Sequence, residues 1–421
     1  MKILVLAGGF DQIELIKQLK RRGNVVYLID YYTDPLAKEF ADKHFMVSTL
    51  DEDAVYDIAK EEKADMITTA CTDQALLTVA KVSERLNLPC YISADQAMKV
   101  TNKSYMKRCF QRNNITTAPF VILENEELWD QKKDIGLRYP LIVKPCDCNS
   151  SKGVIKVYHN SELDQVVKNA FFMSRSKKVI IEEFIDGMEL SIDVWKDEEG
   201  AKILSVSRSN KMKSNIKDFT IYQSVYPVTL SERIKKIIKE LALKICNAFD
   251  LNNCPLLIQA IVTEKDVYIV EISARMGGGS KYKFIEYMSG IDIMKIYVNR
   301  ILGDITQVVN PIVSSKCMEL NYVYAVNGIY QKAVGFEDEK AKGHIAELFY
   351  YKREGEEITG KKTSSDRIMG FLIVADSSES LLQLRKEILK KVDIINEFGK
   401  SMMFKDCFED SEYFLGENYG E

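Results

Sequence analysis

Histidine is scarce in this chain: His44, His159 and His344 are the three in 421 residues, and they lie far apart. That leaves little material for a zinc site or for catalysis by a Ser–His or Cys–His pair. No apolar run approaches the roughly 20 residues of a membrane-spanning helix, and the first wholly apolar stretch, Ile3 to Ala7, is shorter than a signal-peptide core. A cytoplasmic chain with no membrane partner is expected. Basic charge is not in excess, with 58 Lys plus Arg against 62 Asp plus Glu and a net charge of -4, which argues against a nucleic-acid partner. The nine cysteines are odd in number and scattered, with only Cys146 and Cys148 close together, which suits reduced thiols better than a disulfide framework. Only 8 prolines and 21 glycines are present and no Pro/Gly/Ser-rich linker occurs, while 46% hydrophobic residues exclude a disordered chain.

What is present reads as two textures. Residues 2–7 (KILVLA) form a short apolar run, followed by Gly8-Gly9, an amphipathic helix through Ile13, Ile16 and Leu19, and the run VVYLID. A helix near 51–61, an apolar run at 66–70, a helix near 74–86 and a short strand at 90–92 continue the alternation, which implies a parallel sheet covered by helices. Gly8-Gly9-Phe10-Asp11 departs from G-x-G-x-x-G, so a dinucleotide site here is weakly supported, although Asp30 stands where a ribose-binding acid would. From about residue 100 the texture changes. A helix capped by Thr101 or Asn102 leads into strands near 119–123, 140–144, 153–158, 179–185, 188–196, 202–208, 256–262 and 267–273, with helices near 161–173 and 231–249. This is an α+β region of antiparallel hairpins. Beyond 310, strands near 316–326, 345–351 and 368–375 and a helix at 378–392 form a third stretch.

Three segments carry chemistry. In YPLIVKPCDCNSSKGVIKVY a strand ends at Lys144-Pro145 and a polar loop follows. Asn149, Ser150, Ser151 and Gly153 are small enough for backbone N–H groups to approach an anion, and Lys152 adds charge. A plain hairpin with surface lysines would look the same. In VIIEEFIDGMELSIDV two adjacent acids sit inside an apolar strand, where a buried carboxylate needs partners; strand alternation also allows one of each pair to face water. In LLIQAIVTEKDVYIVEISARMGGGSKY a hairpin places Gln259 opposite Glu271, and Glu271, Ser273 and Arg275 share a face. These are hard oxygen donors of the kind Mg²⁺ takes alongside phosphate and water, with a planar guanidinium beside them and Gly277-Gly278-Gly279 allowing close backbone approach.

The order of these motifs, a loop-flanking lysine with SSKGV, then EEF-x-x-G-x-E, then Q plus twelve to E-x-S-x-R-x-G-G, resembles the ATP-grasp superfamily, and within it the amino-acid ligase and carbamoyl-phosphate synthetase branches. The resemblance covers about residues 1–310, and RIMGFLIVADSSESLLQLRKEI resembles the closing segment of amino-acid ligases and biotin carboxylase relatives. It implies a mixed α/β and α+β chain: a Rossmann-like domain over 1–100, an ATP-grasp domain over 101–310 with lobes of about 101–186 and 187–310, and a C-terminal α+β segment over 311–421. Lys103 and Lys144 would contact the ATP phosphates, with Ser150, Ser151, Lys152 and Gly153 as a mobile phosphate loop. Glu182, Glu183, Phe184 and Ile185 would hold adenine, and Glu189 the ribose. Gln259, Glu271 and Ser273 would hold Mg²⁺, or Mn²⁺ in its place. Ser273 stands where the family pattern has Asn, so its own contact would pass through water. Arg275, with Lys144, would be catalytic, and Arg208, Arg275, Gly278 and Gly279 would meet the substrate.

The activity so implied is an ATP-dependent carboxylate–amine ligase working through an acyl phosphate, on an amino acid or other small carboxylate and an amine, in a chain compatible with a homodimer. A bicarbonate-using carboxylase or carbamoyl-phosphate-type enzyme and a nucleotide-binding protein without turnover are the alternatives. Replacing Lys144 or Glu271 by alanine is expected to abolish turnover with the fold intact, on the reasoning that both line a cleft.

Overall fold

The computed structural model describes residues 1–130, 134–148, 152–212, 219–304, 308–360 and 363–409. Among them the strands form four sheets. The first is parallel, in the order Lys43–Phe45, Val25–Ile29, Lys2–Leu6, Met66–Thr68. Helices Phe10–Arg21, Glu52–Glu61 and Asp73–Leu86 follow its strands. Ile3, Leu4, Val5 and Leu6 are all fully buried, as expected of a parallel strand covered on both faces. The expected strand at 90–92 does not form. Tyr91 instead gives its hydroxyl to the Ala274 carbonyl (2.8 Å) and stacks edge-on against Tyr297, so side-chain anchoring replaces a ladder. The Gly8 turn has a packing cause: a Cβ there would lie 2.5 Å from Pro35 Cβ. Asp30 accepts the Gly8 and Tyr32 N–H groups (2.7 and 2.8 Å), which occupies the acid that a dinucleotide ribose would need.

The second sheet is antiparallel, in the order Phe120–Leu123, Val179–Glu183, Leu141–Pro145, Ile155–Val157. Leu141, Val143, Val179 and Ile181 pack one of its faces onto the helix Asn160–Met173. The third holds eight strands in the order Val267–Ser273, Cys254–Val262, Met188–Asp197, Gly200–Lys211, Ile221–Tyr226, Cys317–Val323, Met369–Ala375, Glu347–Tyr350. The fourth joins Glu357–Ile358, Gly328–Val334 and Asp393–Asn396.

Val179–Glu183 and Met188–Asp197 therefore belong to different sheets and are not two arms of a hairpin. The chain crosses between the sheets at residues 184–187. Gly187 is forced by that crossing, because a Cβ would stand 2.4 Å from the Val262 carbonyl oxygen.

The eight-stranded sheet has two unlike faces. Leu190, Ile192 and Val194 turn to one side, where they pack with Ile234, Ile238, Leu241 and Ile245 of the helix Glu232–Ala248. Glu189, Ser191 and Asp193 alternate with them and so point to the other side. The parallel unit is fastened beyond that polar side: Leu15, Ile16 and Leu19 share a core with Phe284, Ile285, Met294 and Val298 of the helices Lys281–Ser289 and Ile293–Ile301. Thr68 Oγ1 lies 2.8 Å from Tyr297 Oη at the same junction.

Candidate active site

Between the small antiparallel sheet and the polar side of the eight-stranded sheet lies a cavity of about 520 Å³. Its walls explain which of the adjacent acids faces inward. Glu182 stands in register with Ile142, and Lys144 lies two residues on, so Ile142, Lys144 and Glu182 share the face turned to the cavity. Glu183 points the opposite way, where its carboxylate receives Arg138 Nε and Nη2 (3.3 and 3.0 Å) and the Arg138 N–H (3.0 Å).

Glu182 is held between two lysines. Its Oε1 accepts from Lys144, and its Oε2 lies 2.8 Å from Lys107 Nζ. Burial opposes the charge on Glu182, but the Lys107 and Lys144 ammonium groups outweigh it and bring the carboxyl down to about 2. Burial wins at Lys107, whose ammonium is pushed down despite Glu182. Lys107 was not singled out from the sequence; it lies one helical turn past Lys103 on the helix Lys103–Arg112, a spacing that could have found it.

Lys103 begins that helix, which Asn102 caps by accepting the Ser104 N–H (3.0 Å). Its ammonium donates to the Cys148 carbonyl (2.7 Å) and sits 3.4 Å from Glu271. Burial works against its charge, and Glu271 and Asp73 more than restore it. Gln259 stands directly opposite Glu271 across the hairpin. Both line the cavity, as do Lys103, Lys144, Cys148 and Arg208. Glu189 lines it too and pairs with Lys211. Apolar side chains Ile142, Val154, Met188 and Ile261 surround the crossing segment, where Lys156 Nζ sits 3.2 Å from the centre of the Phe184 ring.

Not every residue singled out in the sequence joins this group. Ser150 and Ser151 lie outside the described residues. Lys152 is exposed, and Gly153, at φ 74°, is required by packing, since a Cβ would meet Pro145 and Met173. Ser273 is two residues past Glu271, and its hydroxyl donates to Asp73. Arg275 forms a two-pronged pair with the same Asp73, through Nε (2.8 Å) and Nη2. Burial opposes both charges, yet their contact lowers the Asp73 carboxyl and raises the guanidinium. Gly278 and Gly279 belong to the loop after Arg275, away from the cavity walls; the Gly279 N–H donates to Asp11 Oδ2 (2.9 Å). Asp11 and Asp73, both from the parallel unit, carried no sequence signal, because only the tertiary fold brings them here.

The donor set suits a hard cation. Glu271 is a partly exposed carboxylate at the cavity wall, with Gln259, which can offer an amide oxygen, opposite it in register. Among the described residues no group of three His, Cys, Asp or Glu could hold a metal unaided. A divalent ion here would thus need oxygens from a bound phosphate, as Mg²⁺ commonly does. No helix among the described residues is long and apolar enough to cross a membrane.

The family model described as the D-ala D-ala ligase C-terminus matches residues 109–301. The formate-dependent phosphoribosylglycinamide formyltransferase of Sulfurisphaera tokodaii is 28% identical over 287 residues, 65% of this chain and 70% of that protein. An L-amino acid ligase structure from Bacillus licheniformis superposes with a TM-score of 0.77 at 20% identity, covering 94% of this chain and 98% of that one. The biotin carboxylase domain of Hydrogenobacter thermophilus 2-oxoglutarate carboxylase, solved with MgADP, ADP and bicarbonate, gives 0.76 at 17% identity, covering 96% and 91%. At these identities the structural likeness speaks for the fold.

Proposed function

We infer that this chain, which belongs to the ATP-grasp superfamily, is an ATP-dependent carboxylate–amine ligase that makes an amide bond through an acyl phosphate. The observation that carries the reading is the cavity itself, lined by the buried lysines Lys103, Lys107 and Lys144 and by the facing pair Gln259 and Glu271. The apolar slot around Ile142, Met188 and Ile261 suits an adenine ring, with the backbone of residues 183–185 beside it. Glu189 would take the ribose hydroxyls once Lys211 yields. Lys103 and Lys144 would meet the phosphates.

Gln259 and Glu271 would hold Mg²⁺ or Mn²⁺. When bound, such an ion supplies charge neutralisation along the triphosphate. The chain's own residues do the rest. Lys144 and Lys103 place positive charge where the transferring phosphoryl group needs it. A substrate carboxylate oxygen attacks the γ-phosphorus and ADP leaves. An amine that has shed one proton then attacks the acyl carbon; the carbon–oxygen bond breaks with its electrons going to phosphate, which takes up the second proton. Arg275, locked by Asp73, would present its guanidinium in one orientation to the phosphoryl or the carboxylate. The lysine-rich wall would keep water from the acyl phosphate.

The reading is tested by ADP release over a panel of carboxylate and amine pairs. ADP formed only when both substrates are present, with an amide as co-product, supports it. ADP release that needs bicarbonate alone would assign a carboxylase instead, and nucleotide binding with no release for any pair would refute turnover.

A further inference from the structure

The parallel sheet ends in an open edge. Met66–Thr68 is its last strand, and the Asp65 N–H donates to the Lys2 carbonyl (2.8 Å), so ladder alternation turns the N–H groups of Met66 and Thr68 away from Lys2–Leu6. The segment 89–91, where the sequence predicts a strand, does not pair with that edge. A second cavity, of about 130 Å³, stands there instead. Residues 66–68 and 89–91 line it, and Arg300 and Ile301, from the end of the helix Ile293–Ile301, complete it with Gly303. It shares no lining residue with the larger cavity between the sheets.

Its lining is apolar apart from one charge. Met66, Ile67, Pro89 and Ile301 supply carbon surface, and Arg300 is the one charged residue among the lining. That guanidinium gives its Nε–H to the Asn253 carbonyl (3.0 Å) and forms no ion pair among the described residues. The cavity holds no latent counter-charge either. Burial pushes the Cys90 thiol and the Tyr91 hydroxyl up, and the Tyr91 hydroxyl is already spent on the Ala274 carbonyl.

A cation beside carbon surface selects its occupant twice. A bare inorganic anion would meet Arg300 and leave the apolar lining in contact with water. A neutral hydrocarbon would cover the lining and leave the guanidinium unused. A short alkyl chain ending in a carboxylate serves both, since the planar guanidinium matches two carboxylate oxygens and the N–H groups of a free strand edge are further donors. Volume sets the chain length. An apolar cavity of roughly 150 Å³ takes benzene, so this one has room for about five or six heavy atoms, a chain of three or four carbons.

We propose that this cavity binds a short-chain monocarboxylate of three or four carbons, with its carboxylate at Arg300 and the free strand edge and its alkyl end against the apolar lining. The site goes beyond the ligase reading and does not depend on it. Its walls are nonetheless tied to the hairpin of Gln259 and Glu271, since Asn253 precedes the strand Cys254–Val262 and Ala274 follows the strand Val267–Ser273. An occupant therefore braces the parallel unit against that hairpin and raises the melting point.

The test is titration of the full chain, followed by NMR, with the straight-chain carboxylates from formate to octanoate. Butyramide, butylammonium and inorganic phosphate probe charge and shape. Affinity should rise about four-fold per added carbon and stop rising by five carbons, with butyramide about ten-fold weaker than butyrate, as loss of a charge-assisted contact is. Arg300→Gln keeps an N–H for the Asn253 carbonyl. It should bind butyrate only as well as butyramide, while its affinity for butyramide stays that of wild type, which certifies the cavity. No binding by any carboxylate, affinity that climbs unbroken past six carbons, or phosphate binding as tightly as butyrate overturns the proposal without recourse to a variant. Butyrate binding undiminished in Arg300→Gln overturns it too, because the acid then sits elsewhere, the larger cavity included.

Discussion

Replacing Glu182 by glutamine takes one negative charge from between Lys107 and Lys144 and leaves two buried ammonium groups without a carboxylate. The side chains of Lys107, Lys144 and Glu182 are 2%, 5% and 7% exposed, so water cannot take over the pairing. Removing one partner of a buried ion pair typically costs about 3–5 kcal/mol. Linkage gives a second route to the magnitude. The carboxyl falls from its ordinary 4.5 to about 2 in the folded chain, a difference on the order of 3 kcal/mol. Because the folded value is the lower one, this stabilisation is present above about pH 4.5 and is lost as the pH falls toward 2. At pH 7 the Glu182→Gln chain should melt roughly 3–6 °C below wild type, and its stability should decline less steeply on acidification below pH 4.5. Glu183→Gln is the control, since its partner Arg138 is 86% exposed and water can replace the contact. Scanning calorimetry at pH 7 and down an acid series reads both effects. Equal melting shifts for the two variants, or parallel acid profiles for Glu182→Gln and wild type, would refute the reasoning.

Glu271→Ala should lower ADP release about 100-fold or more, as loss of transition-state charge stabilisation does, with a smaller melting shift than Glu182→Gln, because the side chain is 26% exposed and the buried Lys103 keeps the Cys148 carbonyl. Lys144→Ala should lose turnover to a similar degree but also melt early, measured in the same pair of assays, since it is 4% exposed and holds Glu182. Gly187→Ala places a methyl 2.4 Å from the Val262 carbonyl; it should cost about 1–3 kcal/mol of stability and raise the KM for ATP, read by denaturation and steady-state kinetics. Chelation by EDTA should stop ADP release, with Mg²⁺ or Mn²⁺ restoring it; release that survives chelation would contradict the roles given to Gln259 and Glu271.

The parallel unit was legible because strand and helix periods alternate cleanly from Lys2 to Leu86, and the hairpin that opposes Gln259 to Glu271 because its turn is short. Lys43–Phe45 and Gly328–Val334 were not, since neither carries a strand pattern strong enough to stand out, and the former is an edge strand of three residues. Asp186-Gly187 is legible as an interruption between two β-rich runs, but only the sheet order shows that the runs part into different sheets. The same limit governs the site. Glu182 and Glu183 were visible as a costly pair, but which one faces Lys144 is a matter of register. Lys144 itself was expected to tolerate truncation as a cleft residue, and burial in the Lys107–Glu182 cluster overturns that. Asp73 could not be linked to Ser273 and Arg275 from a separation of 200 residues, so the donation of the Ser273 hydroxyl to that carboxylate had no signal in the sequence.

The central claim is that a triphosphate lies against Lys103, Lys144, Gln259 and Glu271, with a divalent ion at the last two. A crystal structure of the chain with AMP-PNP and Mn²⁺, with the manganese located by anomalous scattering, measures this directly. The account predicts a manganese peak within coordinating distance of both Gln259 and Glu271 and the adenine against Ile142 and Met188. Manganese elsewhere, or nucleotide bound outside this cavity, would contradict it.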